Sequence, residues 1–190
     1  MTRMKPITGR PALTAEEFER MGDLLDPCEL WDGTLMVHEA AGSYAGAVGA
    51  RLARLLGNHV DDRGIGWTFD ASSGFQVGAS PDRVLSPDLA FVRRERIPSL
   101  PRRGFYRLVP DLVAEIRSPS QTWAYTLERG GIWIAHGASV VWLIDPETRR
   151  ACEFRPTSDP VELGPDGSLD ADPAIEGFSI PMREVFRGLD

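Results

Sequence analysis

The alternation of apolar and polar positions sorts most of the chain into helices and strands. Thr14-Ala-Glu-Glu17 has the pattern of a capping box, and Phe18, Met21, Leu24 and Leu25 form an apolar stripe behind it. A helix is therefore expected there, ended by Asp26-Pro27. Residues 28–31 and 34–37 are short strand-like runs joined by Asp32-Gly33, a dipeptide that favours a type I′ hairpin. From residue 43 to about 60, Val48, Leu52, Leu55, Leu56 and His59 recur at helical spacing and predict the longest helix. Gly42, Gly46 and Gly49 lower helix propensity in its first half but permit close packing.

Short strands follow at residues 65–69 and 74–77, and a buried-looking strand at 86–92. Residues 93–110 read as a loop. A strand at 112–117, a helix from Gln121 to about His136 and a strand at 139–144 form a strand–helix–strand unit, which suggests a parallel crossover. Residues 150–154 are strand-like, and the chain closes with short strands and a helix near 182–187. The class is α/β: a mixed sheet with three helices. At 190 residues the chain fits one domain, taken as 14–190 behind a flexible segment at 1–13.

Composition changes this picture little. The chain is 42% hydrophobic and 26% charged, which excludes global disorder. No apolar run approaches the ~18 residues of a membrane span, and no signal peptide is read at the N-terminus. Cys28 and Cys152 are the only cysteines, too few for a disulfide framework, so a reduced, cytoplasmic setting is expected. His38, His59 and His136 lack metal-binding spacing.

Charge is more informative. The net charge of −7 belongs to the tail, where residues 151–190 hold nine acids against three arginines. Arg93, Arg94, Arg96, Arg102, Arg103 and Arg107 face one acid, Glu95, and form a basic loop able to meet DNA phosphates. Twenty of the twenty-one basic residues are Arg, and the only Lys is Lys5.

Two acids interrupt apolar strands. On the strand at 112–117, Leu112, Ala114 and Ile116 share one face, and Val113, Glu115 and Arg117 the other. A carboxylate in such a strand is costly to bury unless it is paired or holds a cation. Glu115 either forms an ion pair with Arg117 or Arg129, or binds metal. Asp88 either caps a local N–H or joins it. With Glu29, the three acids converging on one sheet edge would make an oxygen-only site suited to Mg²⁺ or Mn²⁺. Trp123, Trp133 and Trp142 read as core, while Trp31, Met36 and Trp133 are candidates for a dimer face of a homo-oligomer.

Glu29-Leu-Trp-Asp-Gly33, Ser86-Pro-Asp-Leu-Ala-Phe-Val92, Asp111-Leu-Val-Ala-Glu-Ile-Arg-Ser-Pro-Ser120 and Val141-Trp-Leu-Ile-Asp-Pro146 occur in that order. From about Thr14 to Phe186 the chain resembles the Uma-type family of restriction endonucleases in the PD-(D/E)XK nuclease superfamily. The resemblance implies a restriction-endonuclease-like mixed β-sheet flanked by helices, with an N-terminal helix and hairpin. It also implies a Mg²⁺- or Mn²⁺-dependent endonuclease acting on DNA, with Asp88 and Glu115 as metal ligands and Glu29 as the acid of the first motif. The superfamily carries a lysine two residues after the second acid, where this chain has Arg117. The Uma-type lysine on the following helix corresponds to Arg129. Arg cannot act as a general base but can stabilise negative charge. Tyr125 stands where an acid is common, and Trp133 where a tyrosine is. A nuclease-fold binding module without catalysis is the alternative, because the folded body has no lysine.

Overall fold

The computed structural model describes residues 5–9, 11–22, 28–37, 42–97, 99–100 and 104–189. In chain order, β1 (Lys5–Pro6), α1 (Ala15–Met21), β2 (Cys28–Trp31) and β3 (Thr34–Val37) precede the long α2 (Ser43–Arg63). Then come β4 (Gly66–Asp70), β5 (Phe75–Ala79), β6 (Asp82–Leu85), β7 (Leu89–Arg93) and β8 (Leu112–Ile116). Next are α3 (Trp123–His136), β9 (Val140–Asp145), β10 (Arg150–Arg155) and β11 (Ser158–Leu163). β12 (Ser168–Asp170), β13 (Ser179–Pro181) and α4 (Met182–Val185) finish the chain.

The central sheet has six strands in the order β11-β10-β9-β8-β7-β4. Only β8 and β9 run parallel, with α3 as the crossover expected from the sequence. Strand parity divides the core in two. Leu89, Phe91, Leu112, Ala114, Ile116, Val140, Trp142 and Ile144 face α2, where Val48, Leu52, Leu56 and Val60 meet them. The apolar residues of the acidic tail complete this layer, among them Leu169, Ile180, Met182 and Val185. Ala90, Val92, Val113, Val141 and Leu143 face α3 and its Trp133.

The hairpin does not extend this sheet. It belongs to a second sheet of five strands, β1-β3-β2-β6-β5, packed on α1 through Ala15, Phe18, Leu30, Leu35 and Val84. Asp32 (φ 49°) and Gly33 (φ 78°) both take the positive φ that a type I′ turn needs. Thr14 caps α1 through the expected reciprocal bonds with Glu17. Leu24, Leu25, Asp26 and Pro27 lie outside the described residues, as do His38, Arg102 and Arg103. Within the N-terminal segment, Lys5 and Pro6 pair with Val37 and Met36.

Three local expectations are corrected. The strand expected from Ser86 begins at Leu89, because the Ser86 and Ile116 N–H groups bond Glu29 and Asp88 side chains at the strand's approach. The loop after β7 contains a 3₁₀ turn at Arg94–Arg96 and a bridge from Tyr106 to Phe75. Trp133 lies 0% exposed in the core, so it forms no dimer face.

Candidate active site

Glu115 stands in the middle of the central sheet, on the α3 face, in a strand buried along its whole length. Two residues on α3 reach it. Arg129 and Trp133, one turn apart on the same helical face, both donate to Glu115 Oε1, from Nη2 at 2.7 Å and from Nε1 at 2.7 Å. Oε2 takes part in neither bond.

Glu29, on β2 of the other sheet, meets the same guanidinium as a fork. Arg129 Nη1 donates to its Oε2 at 3.0 Å and Nη2 to its Oε1 at 3.1 Å. Trp31 Nε1 and the Ser86 N–H add bonds at 2.7 and 2.8 Å. Glu29 is 0% exposed, Arg129 4% and Glu115 7%, so the acid–arginine–acid row is interior. Burial alone would lower the Arg129 pKa, but the two carboxylates outweigh it and hold the pKa well above its usual value. The charge is therefore permanent. Trp31 covers the row, its ring centroid 5.9 Å from the Arg129 guanidinium carbon.

Asp88 reaches the same place from β7. The antiparallel β7–β8 pairing ends at Leu89 and Ala114, and Asp88 lies one residue before that pair as Glu115 lies one residue after it. Asp88 Oδ2 accepts the Ile116 N–H at 2.6 Å. Of the five expected site residues, Glu29, Glu115 and Arg129 are joined directly, and Asp88 bonds the backbone of the residue that follows Glu115.

Among the described residues, no group of three or more His, Cys, Asp or Glu is arranged to hold a metal ion. The reason is that Arg129 lies between Glu29 and Glu115. Of the expected metal ligands, Glu115 belongs to the row and Asp88 bonds the Ile116 N–H. Two hard carboxylates suit Mg²⁺, which keeps several waters and takes few protein ligands.

Arg117, the fifth residue, bonds elsewhere. Its Nε donates to Asp145 Oδ1 at 2.9 Å and its Nη1 to the Gln121 carbonyl at 3.0 Å, and it also pairs with Glu147. Burial raises the Asp145 pKa, but bonds from Arg117 and Thr148 outweigh it and leave the carboxyl below its usual range.

The basic loop leaves β7 and enters β8 at the other end of the sheet, roughly 17 Å from Asp88 at five strand residues. Its described arginines have protein partners. Arg96 pairs with Asp111 at 3.0 Å, and Arg93 donates to the Ala174 carbonyl at 3.1 Å. Arg94 donates to the Gly64 carbonyl at 2.5 Å, and Arg107 to Glu16 at 3.1 Å. Burial and nearby acids push the Cys152 thiol up to about 11, which disfavours the thiolate.

Trp31 and Trp133 were not expected at the site, since sequence patterning places Trp133 in the core and both at a candidate dimer face. The available signal was the four-residue spacing of Tyr125, Arg129 and Trp133 on a helix that must cover Glu115.

The family model "Uma2: Putative restriction endonuclease" matches residues 15–183. The chain belongs to the Uma2 family. Among solved structures, a "putative nuclease belonging to DUF820" from Anabaena variabilis ATCC 29413 is similar, with 20% identity and a TM-score of 0.79. That match covers 92% of this chain and 97% of the other. It shows a shared fold: a mixed sheet flanked by helices, as the resemblance implied. No protein with a curated description matches the chain. No helix among the described residues of this Uma2 protein is long and apolar enough to cross a membrane.

Proposed function

We propose that the protein is a divalent-metal-dependent endonuclease that hydrolyses DNA phosphodiester bonds. The observation that carries this reading is the buried row in which Arg129 bonds both Glu29 and Glu115, with Asp88 bonded to the Ile116 N–H next to Glu115 in the chain. Asp88 and Glu115 would hold Mg²⁺ or Mn²⁺, which when bound polarises a phosphoryl oxygen and acidifies water. The protein's own groups prepare that seat. Trp133 and Arg129 fix the Glu115 carboxylate through Oε1, and the Ile116 N–H fixes Asp88. Glu29 anchors Arg129, whose cation stabilises the charge that develops on the phosphate. Arg117 holds the end of β8 against Asp145 at the end of β9.

The test is cleavage of plasmid and single-stranded DNA with Mn²⁺, Mg²⁺ or chelator, alongside Asp88→Asn and Glu115→Gln proteins purified identically. Metal-dependent cleavage that both substitutions abolish supports the assignment, and unchanged cleavage by either removes it.

One observation favours a second reading, a nuclease-fold binding module without catalysis. The 2.7 Å pair between Arg129 and Glu115 already neutralises one of the two metal-binding acids. Arg129→Lys separates the readings: cleavage that appears only in this variant marks a site silenced by arginine.

A further inference from the structure

One turn before Arg129 on α3, Tyr125 brings a phenol to the edge of the acid–arginine row. Its hydroxyl oxygen is buried and has no hydrogen-bond partner among the described residues. Trp67 Nε1 is the other such side-chain atom found there, and it lies on β4, away from the row. A buried hydroxyl left unpaired destabilises the fold, so a folded chain rarely keeps one without a use.

The surroundings say what the hydroxyl faces. Burial chiefly raises its pKa above the usual phenol value, and Glu29 and Glu115 add to it. The Arg129 guanidinium beside the hydroxyl oxygen, through its charge and an N–H, only partly opposes them, leaving the O–H hydrogen itself free to donate. The group is a neutral O–H at physiological pH. Around it the acceptors are carboxylates, which repel an anion. The Trp133 Nε1–H and three of the five Arg129 N–H groups are committed to those carboxylates. A phosphodiester entering here needs a donor for its non-bridging oxygens, and the Tyr125 O–H is uncommitted.

We propose that Tyr125 is a substrate-binding residue of this site, its hydroxyl donating a hydrogen bond to a non-bridging phosphodiester oxygen. The assignment rests on the nuclease reading above. Tyr125→Phe removes the hydroxyl and keeps the ring. Two measurements go together: anisotropy of a fluorescein-labelled DNA oligonucleotide with Ca²⁺ present, and thermal unfolding without DNA. Loss of a hydrogen bond to a charged oxygen should weaken oligonucleotide binding by about 10- to 100-fold. The Tm should stay level or rise, because the lost group was unpaired in the free protein. A structural hydroxyl would lower the Tm instead. Oligonucleotide binding within twofold of wild type, or a Tm several degrees lower, overturns the assignment. Should the wild-type protein neither bind nor cleave DNA, the nuclease reading falls, and inorganic phosphate becomes the probe for the hydroxyl. Phosphate that raises the Tm of the wild type but not of Tyr125→Phe keeps Tyr125 as an anion-binding group. Equal shifts, or none, remove it.

Discussion

Arg129→Met tests the buried row most directly, because it keeps an unbranched, flexible side chain while removing the guanidinium and its charge. The guanidinium is 4% exposed and donates three bonds, of 2.7, 3.0 and 3.1 Å, to carboxylates that are themselves 7% and 0% exposed. Removing one partner from a buried ion pair costs about 3–5 kcal/mol, chiefly because the other charge stays desolvated. For a chain of this size that is a Tm loss of about 6–20 °C. The deficit should depend on pH. A buried carboxylate deprived of its cation keeps its proton to higher pH than it does in the unfolded chain. A folded-state pKa raised in that way means the native state binds more protons, so stability falls as pH rises through it. The variant should therefore lie closer to wild type at about pH 5 than at about pH 8, on either side of where a raised carboxyl titrates. Arg129→Met/Glu29→Gln should recover part of the loss at the higher pH. Urea unfolding at both pH values reads this as a change in midpoint at constant slope. A loss below about 1 kcal/mol at the higher pH, in the range of an exposed pair, would refute the interior placement of the row.

Other outcomes follow from particular contacts. A Cβ on Gly130 would lie 2.9 Å from Leu143 Cδ1 in the core, whereas one on Gly131 meets nothing within 4 Å. Gly131→Ala should add up to ~1 kcal/mol from helix propensity, while Gly130→Ala loses that gain to crowding of ~1–3 kcal/mol; equal Tm values for the two would contradict the close approach of α3 to β9. Asp145, with its pKa depressed by Arg117 and Thr148, contributes stability that is present above the unfolded carboxyl range and lost as pH falls below ~4. Asp145→Asn should flatten acid unfolding there, and an unchanged acid midpoint would count against the Arg117–Asp145 bond. If the basic loop tracks a DNA backbone, the logarithm of the binding constant should fall by ~0.9 per phosphate contact against log salt. Arg107→Ala should reduce that slope, since this arginine is 63% exposed in its pair with Glu16; an identical slope would take Arg107 out of the interface.

Elements with regular apolar periodicity were legible in the sequence. The capping box at Thr14, the Asp32-Gly33 turn and the crossover helix all carry local signals, and each lies where its pattern put it. β6 was not legible: Val84 and Leu85 are its two buried apolar residues, behind Pro81 and Asp82, too few to show a period. Nor was the division into two sheets, because the β2–β6 pairing of Leu30 with Val84 joins segments more than fifty residues apart. At the site, the acids announced themselves by interrupting apolar strands, since burying a carboxylate requires a partner. Which arginine would supply it was open between Arg117 and Arg129. Strand parity puts both on the α3 side, and only the chain's path beyond β8 turns Arg117 toward Asp145.

That choice also bears on the missing lysine. Glu29 belongs to the five-stranded sheet, Glu115 to the six-stranded sheet and Arg129 to the crossover helix, so one guanidinium joins three elements that share no backbone ladder. The task demands separated donors. The guanidinium meets both Glu29 oxygens as a fork and still has an N–H for Glu115, 2.7 Å away. A lysine ammonium directs its three donors from one nitrogen and cannot span both carboxylates in that way. In this chain, then, Arg129 is suited to its seat by geometry, beyond the general preference for Arg that leaves Lys5 as the only lysine. Arg129→Lys should accordingly loosen the joint between the two sheets even if it frees Glu115 for a metal ion. Cleavage and stability have to be measured on the same preparation, because a gain in the first with a loss in the second is the signature of an arginine that holds the fold at the expense of the site.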